Sequence, residues 1–224
     1  MSNTLSEQLE DFRAGWLKRV PAERRTIMEG HIAKLMDGGF GKLAKQVGDL
    51  APEIILPDAN GKAFNISTLL AKGPVVVTFY RGGWCPYCNL ELKAYQAILP
   101  QILAAGASMV AISPEKPDDS ITTAEKNALT FTVLSDVGQK VGKAFGLVYS
   151  FTDELKSVYQ EIGIDIADKN GAPNDWSLPL SATYVIGSDG VISFADTGVD
   201  YRRRTEPLDV LNVLQRTVKA VRSA

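Results

Sequence analysis

Two cysteines stand three residues apart in the run Arg81-Gly82-Gly83-Trp84-Cys85-Pro86-Tyr87-Cys88, and the chain has no others. Thiol chemistry within one subunit must therefore run between Cys85 and Cys88. A sulfur attacks only as its thiolate, and a free thiol with a pKa of ~8.5 is mostly protonated at neutral pH. The surrounding residues offer a remedy. Gly82 and Gly83 let the chain turn sharply, and Pro86 suits a first helical position, where its missing N–H has no partner to lose. Both sulfurs then sit in the first turn of a helix, where free N–H groups and the helix dipole draw thiol pKa values down to ~3.5–7.5. Arg81 adds a positive charge close by.

Other chemistries compete for the same spacing. A Cys-x-x-Cys pair is half of a four-ligand zinc site. The chain offers a single imidazole, His31, on the apolar face of an expected helix. A packed or surface histidine is the common case there, so no metal is expected unless one is shared across a dimer. Two unreactive core cysteines are the plain alternative. Trp84 and Tyr87 read either as packing or as groups that position a substrate.

Several elements must place the motif. The apolar run Val75 to Tyr80, after Gly73-Pro74, predicts a buried strand ending just before Arg81, and a helix from Pro86 to about Ala105 follows, with a kink expected at Pro100. Further on, Ala107 to Ser113 reads as a strand, Ser120 to Asn127 as a helix, Phe131 to Leu134 as a short strand and Gly138 to Phe145 as a short helix. A variable segment comes next. Ser181 to Ile186 and Val191 to Asp196 form a hairpin about the Ser188-Asp189-Gly190 turn, because Asp-Gly between β-rich runs suits positive φ. Glu206-Pro207 opens a last helix running to about Val221. Strands alternating with helices from Val47 onward predict an α/β fold, a central sheet covered on both faces.

The first 46 residues differ, being charged and helix-favouring. Leu5, Leu9, Phe12, Trp16 and Leu17, then Ile27, His31, Leu35 and Met36, fall at helical spacing on either side of Pro21. This predicts an N-terminal helical extension over 1–46, either packed on its own core or serving as a dimerisation arm, followed by one domain over 47–224. The net charge of −2 leaves no broad basic surface for nucleic acid. No apolar run approaches the ~20 residues needed to span a bilayer, and Met1 to Asp11 lacks the apolar stretch of a signal peptide. A cytoplasmic protein with no membrane partner is expected.

These residues resemble the alkyl hydroperoxide reductase and thiol-specific antioxidant family, peroxiredoxin-like proteins of the thioredoxin superfamily. The resemblance spans roughly Val47 to Val221 and rests on Gly48-Asp49-Leu50-Ala51-Pro52 with Asn60-Gly61-Lys62, on Phe79 to Leu92, and on Ala182-Thr183-Tyr184-Val185-Ile186 with Asp189-Gly190. It implies a thioredoxin-like fold with a central mixed sheet, and a peroxidase needing no cofactor. The family's Pro-x-x-x-Thr-x-x-Cys, laid on the anchors Phe79-Tyr80 and Glu91-Leu92, puts Cys88 at the peroxide-attacking position, Cys85 at the Thr and Arg81 at the Pro. The family's activating Arg falls on Ser181. Thioredoxins and glutaredoxins instead carry Trp-Cys-x-x-Cys or Cys-Pro-Tyr-Cys and attack with the first cysteine; Trp84 to Cys88 fits that pattern, although their cis-proline also falls on Ser181.

The resemblance implies that Cys88 attacks hydrogen peroxide or an organic hydroperoxide, and that Cys85 condenses with the sulfenic acid. Thioredoxin, glutaredoxin or glutathione then restores the pair, and a homodimer is allowed. Helical neighbours three apart have Cβ atoms ~5–6 Å apart, whereas a disulfide wants ~3.5–4.5 Å, so the first turn must loosen at Cys85. A thiol–disulfide oxidoreductase with Cys85 as nucleophile, or a non-catalytic redox sensor, are the alternatives. Arg202-Arg203-Arg204 reads as a solvated basic turn or, if it reaches the cysteines, as the charge that Ser181 does not supply.

Overall fold

The structure, a computed structural model, describes residues 4–222, with the side chains of the last helix described to residue 216. Two helices come first, α1 (Leu5–Arg19) and α2 (Ala22–Asp37), then a 3₁₀ turn over Phe40–Leu43. Thr4 caps α1 by accepting from the Glu7 amide while the Glu7 carboxylate accepts from Thr4 N–H, so two otherwise orphaned donors are satisfied. A short hairpin, β1 (Ile55–Pro57) and β2 (Ala63–Asn65), turns at Asp58 to Gly61, and the one-turn helix α3 (Ser67–Leu70) follows.

The central sheet is built from β3 (Val75–Phe79), β4 (Ser108–Ser113), β5 (Thr132–Ser135), β8 (Ala182–Ile186) and β9 (Ile192–Asp196), in the order β5-β4-β3-β8-β9. Strands β3, β4 and β5 run parallel, while β8 and β9 pair antiparallel, so the sheet is mixed. Between β3 and β4 lies α4 (Pro86–Ala104), and between β4 and β5 lies α5 (Pro117–Lys126), which starts a turn earlier than Ser120 because Pro117 occupies its first turn. Exposed Pro100 lies inside α4 without ending it.

Side chains alternate between two cores, as period-2 geometry requires. Val75, Val77 and Phe79 of β3, with Tyr184 of β8, face one; Val76, with Met109 of β4 and Val185 of β8, faces the other. The variable segment fills the first side. It follows the short helix α6 (Lys140–Ala144) and comprises a small antiparallel pair of β6 (Val148–Ser150) and β7 (Ser177–Pro179), with the helices α7 (Asp153–Glu161) and α8 (Ile166–Lys169). The last helix, α9 (Pro207–Arg222), lies against α4 and contributes Val210 and Leu214 to the second core. Leu5 and Leu9 of α1 enter that same core, together with Cys85 and Cys88, so α1 covers the motif's side of the sheet, while Ile27, Met28 and Leu35 of α2 pack against the first core. Among the described residues no helix is long and apolar enough to cross a membrane.

Candidate active site

The strand β3 ends at Phe79, and the chain turns through Gly82 and Gly83 into α4. Both glycines are required. Gly82 holds φ +145°, and a Cβ on it would lie 2.3 Å from Trp84 Nε1; a Cβ on Gly83 would lie 2.1 Å from Thr123 Oγ1 of α5. Glu115 fastens this turn by accepting the Gly83 N–H at 2.8 Å, and burial pushes its carboxyl up to about 7 despite that bond. Asn89 donates to the Gly83 carbonyl at 2.9 Å from the α4 side.

Cys85 is the N-cap residue of α4, in extended conformation, with Pro86 as the first helical residue and Cys88 one turn in. Both are free thiols, and both are buried, at 1% and 0% exposure. Each sulfur meets its own guanidinium: Arg81 Nη1 lies 3.9 Å from Cys85 Sγ, and Arg204 Nη2 lies 3.6 Å from Cys88 Sγ. Burial opposes ionisation of Cys85, but the hydrogen bond from the Cys88 thiol, with Arg81 and Arg204, overcomes it and draws the Cys85 thiol down. Cys88 moves the other way. Burial raises it, and as the donor to Cys85 it keeps its proton. The pair thus holds one negative charge more readily than an isolated thiol, centred on Cys85.

Arg81 is fully enclosed. It donates to Tyr159 OH of α7, and its guanidinium carbon stands 4.0 Å from the Tyr201 ring centroid and 5.0 Å from that of Trp84. Ser181 precedes β8, and its hydroxyl accepts from Arg204 Nη2 at 2.8 Å. Arg204 Nε donates to Glu91 Oε2 at 2.7 Å, with side chains only 2% and 1% exposed. Burial lifts the Glu91 carboxyl to about 7, Arg204 pulling it back only in part; burial also works against the Arg204 charge, but Glu91 and the two sulfurs hold that guanidinium firmly protonated.

Of the basic run, Arg204 alone reaches a sulfur. Arg203 is exposed, and Arg202 pairs with Asp200 at 2.7 Å and Glu29 at 2.9 Å. Tyr87 turns to α1, its ring edge-on to Phe12 at 4.9 Å, and touches Tyr201 at 5.8 Å. His31 packs against Tyr149 at 5.5 Å, and among the described residues no cluster of three or more His, Cys, Asp or Glu is placed to hold a metal. Sequence reasoning passed over Tyr159, Tyr201 and Glu115, and used Glu91 only as an alignment anchor. For Tyr159 a signal existed: Thr152 as a cap, then Asp153-Glu154, then Leu155, Val158 and Tyr159 at helical spacing.

Residues 47–195 match the AhpC/TSA family, two thirds of the chain, and the chain belongs to that family. It is 36% identical over 153 residues to the chloroplastic peroxiredoxin Q of Populus jackii, covering 68% of this chain and 60% of that protein. It is 32% identical over 102 residues to peroxiredoxin Bcp of Escherichia coli (strain K12), covering 46% and 65%. The chain thus spans less than two thirds of the length of these curated relatives. Among solved structures, peroxidoxin BcpB from Mycobacterium tuberculosis superposes with a TM-score of 0.60 at 21% identity over 79% of this chain and 97% of that one. The PrxQ of Xylella fastidiosa gives 0.60 at 18% identity, over 76% and 96%. The fold is thioredoxin-like, as in those peroxiredoxins.

Proposed function

We propose that this chain is a thiol-dependent peroxidase that reduces hydrogen peroxide or organic hydroperoxides through the Cys85–Cys88 pair. One thiolate attacks the O–O bond, forming S–O, breaking O–O and leaving a sulfenic acid with water or an alcohol. The second thiol then condenses with the sulfenic acid, releasing water as the S–S bond forms. An external thiol, such as thioredoxin, glutaredoxin or glutathione, returns the pair to the dithiol. The observation that carries this reading is one buried guanidinium per sulfur, Arg81 at 3.9 Å and Arg204 at 3.6 Å. Such charges stabilise the thiolate before attack and the oxyanion that departs afterwards. We further propose the cytoplasm as its compartment, where the thiol pool keeps such a pair reduced.

The N-cap position and lowered pKa of Cys85 also favour a thiol–disulfide oxidoreductase. Against it, a sulfur 1% exposed beneath α1 and α2 admits small substrates rather than the disulfide of a folded protein. The test is peroxide consumption with a dithiol present. Turnover far beyond one equivalent, abolished in the Cys85→Ser/Cys88→Ser double variant, is expected. Consumption that stops at one equivalent makes the protein a sensor, and reduction of small disulfides without peroxide turnover makes it an oxidoreductase.

A further inference from the structure

We propose that the polar cleft between α1 and the loop preceding α9 is where the reductant docks, and that this reductant is a small thiol carrying carboxylates and an ammonium group, as glutathione does. The inference rests on the peroxidase reading and names its electron donor.

The cleft is a cavity of about 410 Å³ that opens to solvent, a size that takes a small organic molecule. Glu10 and Arg13, one turn apart on α1, stand on one side, and Asp200, Arg202 and Arg203 on the other; Arg204 also lines it and reaches on to Cys88 Sγ at 3.6 Å. Some of this charge is already paired. Arg202 holds Asp200 and Glu29, and Arg204 holds Glu91. Arg203 is exposed, and among the described residues its guanidinium has no partner. Arg13 shares Glu29 with Arg202, and its buried Nε has no hydrogen-bond partner among the described residues. Glu10 is exposed and pairs with no cation among them. Two guanidinium groups with donors unused and one unpaired carboxylate thus line a single space. That set is complementary to a molecule with two carboxylates and one ammonium, each contact being a charge-assisted hydrogen bond. The α1 residues precede residue 47, where the family match begins, so this cleft is a feature of the chain rather than of the matched region.

Burial of the pair, at 1% and 0% exposure, favours a small thiol over a folded protein as its reductant. Once the Cys85–Cys88 disulfide has formed, a glutathione thiolate attacks one of its sulfurs. A new S–S bond to glutathione forms as the bond between the cysteines breaks, and the departing cysteine leaves as a thiolate beside its own guanidinium, Arg81 or Arg204. A second glutathione thiolate attacks the sulfur of the first, releasing oxidised glutathione and the other cysteine thiolate. The two protons shed by the glutathiones on ionising return the pair to the dithiol. This exchange is the same whichever cysteine first met the peroxide.

The test compares peroxide turnover driven by glutathione with turnover driven by dithiothreitol, a dithiol without charge. Arg203→Ala and Arg13→Ala should each lower the ratio of kcat/KM for glutathione to that for dithiothreitol roughly tenfold, the scale of one charge-assisted hydrogen bond. Lys72→Ala removes an exposed cation just before β3, at the end of that strand opposite the cysteines, and should keep the ratio. An unchanged ratio in both arginine variants overturns the docking site. A second measurement needs no turnover: S-methylglutathione, which keeps the charges but cannot exchange, should bind the wild-type protein in titration calorimetry, and bind more weakly in Arg203→Glu and at high salt. Absence of binding, or displacement by inorganic phosphate at equal concentration, overturns the recognition of glutathione. A protein that consumes no peroxide with either thiol defeats the peroxidase reading itself, while S-methylglutathione still reports on the cleft.

Discussion

Arg204 joins three side chains that lie far apart in the chain: it reaches Cys88 Sγ, Ser181 Oγ and the Glu91 carboxylate. Removing one member of a buried ion pair costs about 3–5 kcal/mol, because the other is left uncompensated, whereas replacing both by apolar groups is often neutral. Arg204→Met should therefore destabilise the protein strongly, moderated by proton uptake on Glu91, and Arg204→Met/Glu91→Leu should recover most of the loss in denaturant unfolding. Peroxide turnover should fall roughly a hundredfold in both, as when one charge-stabilising donor is lost. Recovery of activity along with stability would assign Arg204 a purely structural role. The thiols give a second test at this scale. Burial raises Cys85, but the Cys88 hydrogen bond and the two arginines bring it to about 6, so its thiolate accumulates as pH rises through that value. Alkylation of Cys85 by iodoacetamide should climb through about pH 6 and then level off, whereas an ordinary thiol keeps gaining reactivity past ~8.5. Cys88→Ala removes the donor and should move the midpoint upward; an unmoved midpoint would sink the account of that hydrogen bond.

The link between β3 and α4 is held against α5. A methyl group at Gly83 would meet Thr123 Oγ1 at 2.1 Å, and Thr123 is itself buried at 2% exposure. Gly83→Ala should cost about 1–3 kcal/mol, the usual penalty of overpacking, and Thr123→Ala in the same chain should return part of it; thermal unfolding of the three variants measures both. Sequence reasoning reached this turn because its signals are local: a continuous apolar strand, two glycines, then Cys-Pro. The β8–β9 hairpin was legible for the same reason, Asp189-Gly190 standing between two β-rich runs. The stretch from residue 146 to 180 was not. Its strands β6 and β7 are three residues long and α8 only four, too short for periodicity to register, and they owe their form to pairing with each other. The site divides likewise. Cys85, Cys88, Arg81 and Pro86 lie within one octapeptide, whereas Tyr159, Glu91 and Arg204 arrive from α7, mid-α4 and the loop before α9, a convergence no local pattern encodes.

At the scale of the molecule, α1 and α2 are sewn to opposite sides of the sheet. Leu5 and Leu9 enter the cysteines' core, and α2 lies along α7 with His31 against Tyr149 and Phe151 at 5.5 and 6.1 Å. The accompanying ion pairs, Arg13–Glu29 and Arg24–Glu161, are substantially exposed and contribute little. His31 is the more telling contact. Among the described residues neither ring nitrogen has a hydrogen-bond partner, and burial, with Arg81 and Lys34 nearby, lowers its pKa below 6.5. The unfolded chain therefore takes up this proton at about pH 6.5, the folded chain only at lower pH. Protons then bind preferentially to the unfolded state, so this contribution to stability is complete above about pH 6.5 and is lost as pH falls below it. Glu91 and Glu115, raised to about 7, act in the opposite sense: the folded state holds their protons more tightly, so their contribution is lost as pH rises through that value. Their effect is shared by wild type and His31→Phe and cancels in the difference. Unfolding free energies of the two proteins at about pH 7.5 and about pH 5 should show wild type losing more stability on acidification, since a phenyl ring keeps the aromatic packing without a site to protonate. Equal losses in both would mean that the α2 contact does not depend on a neutral imidazole.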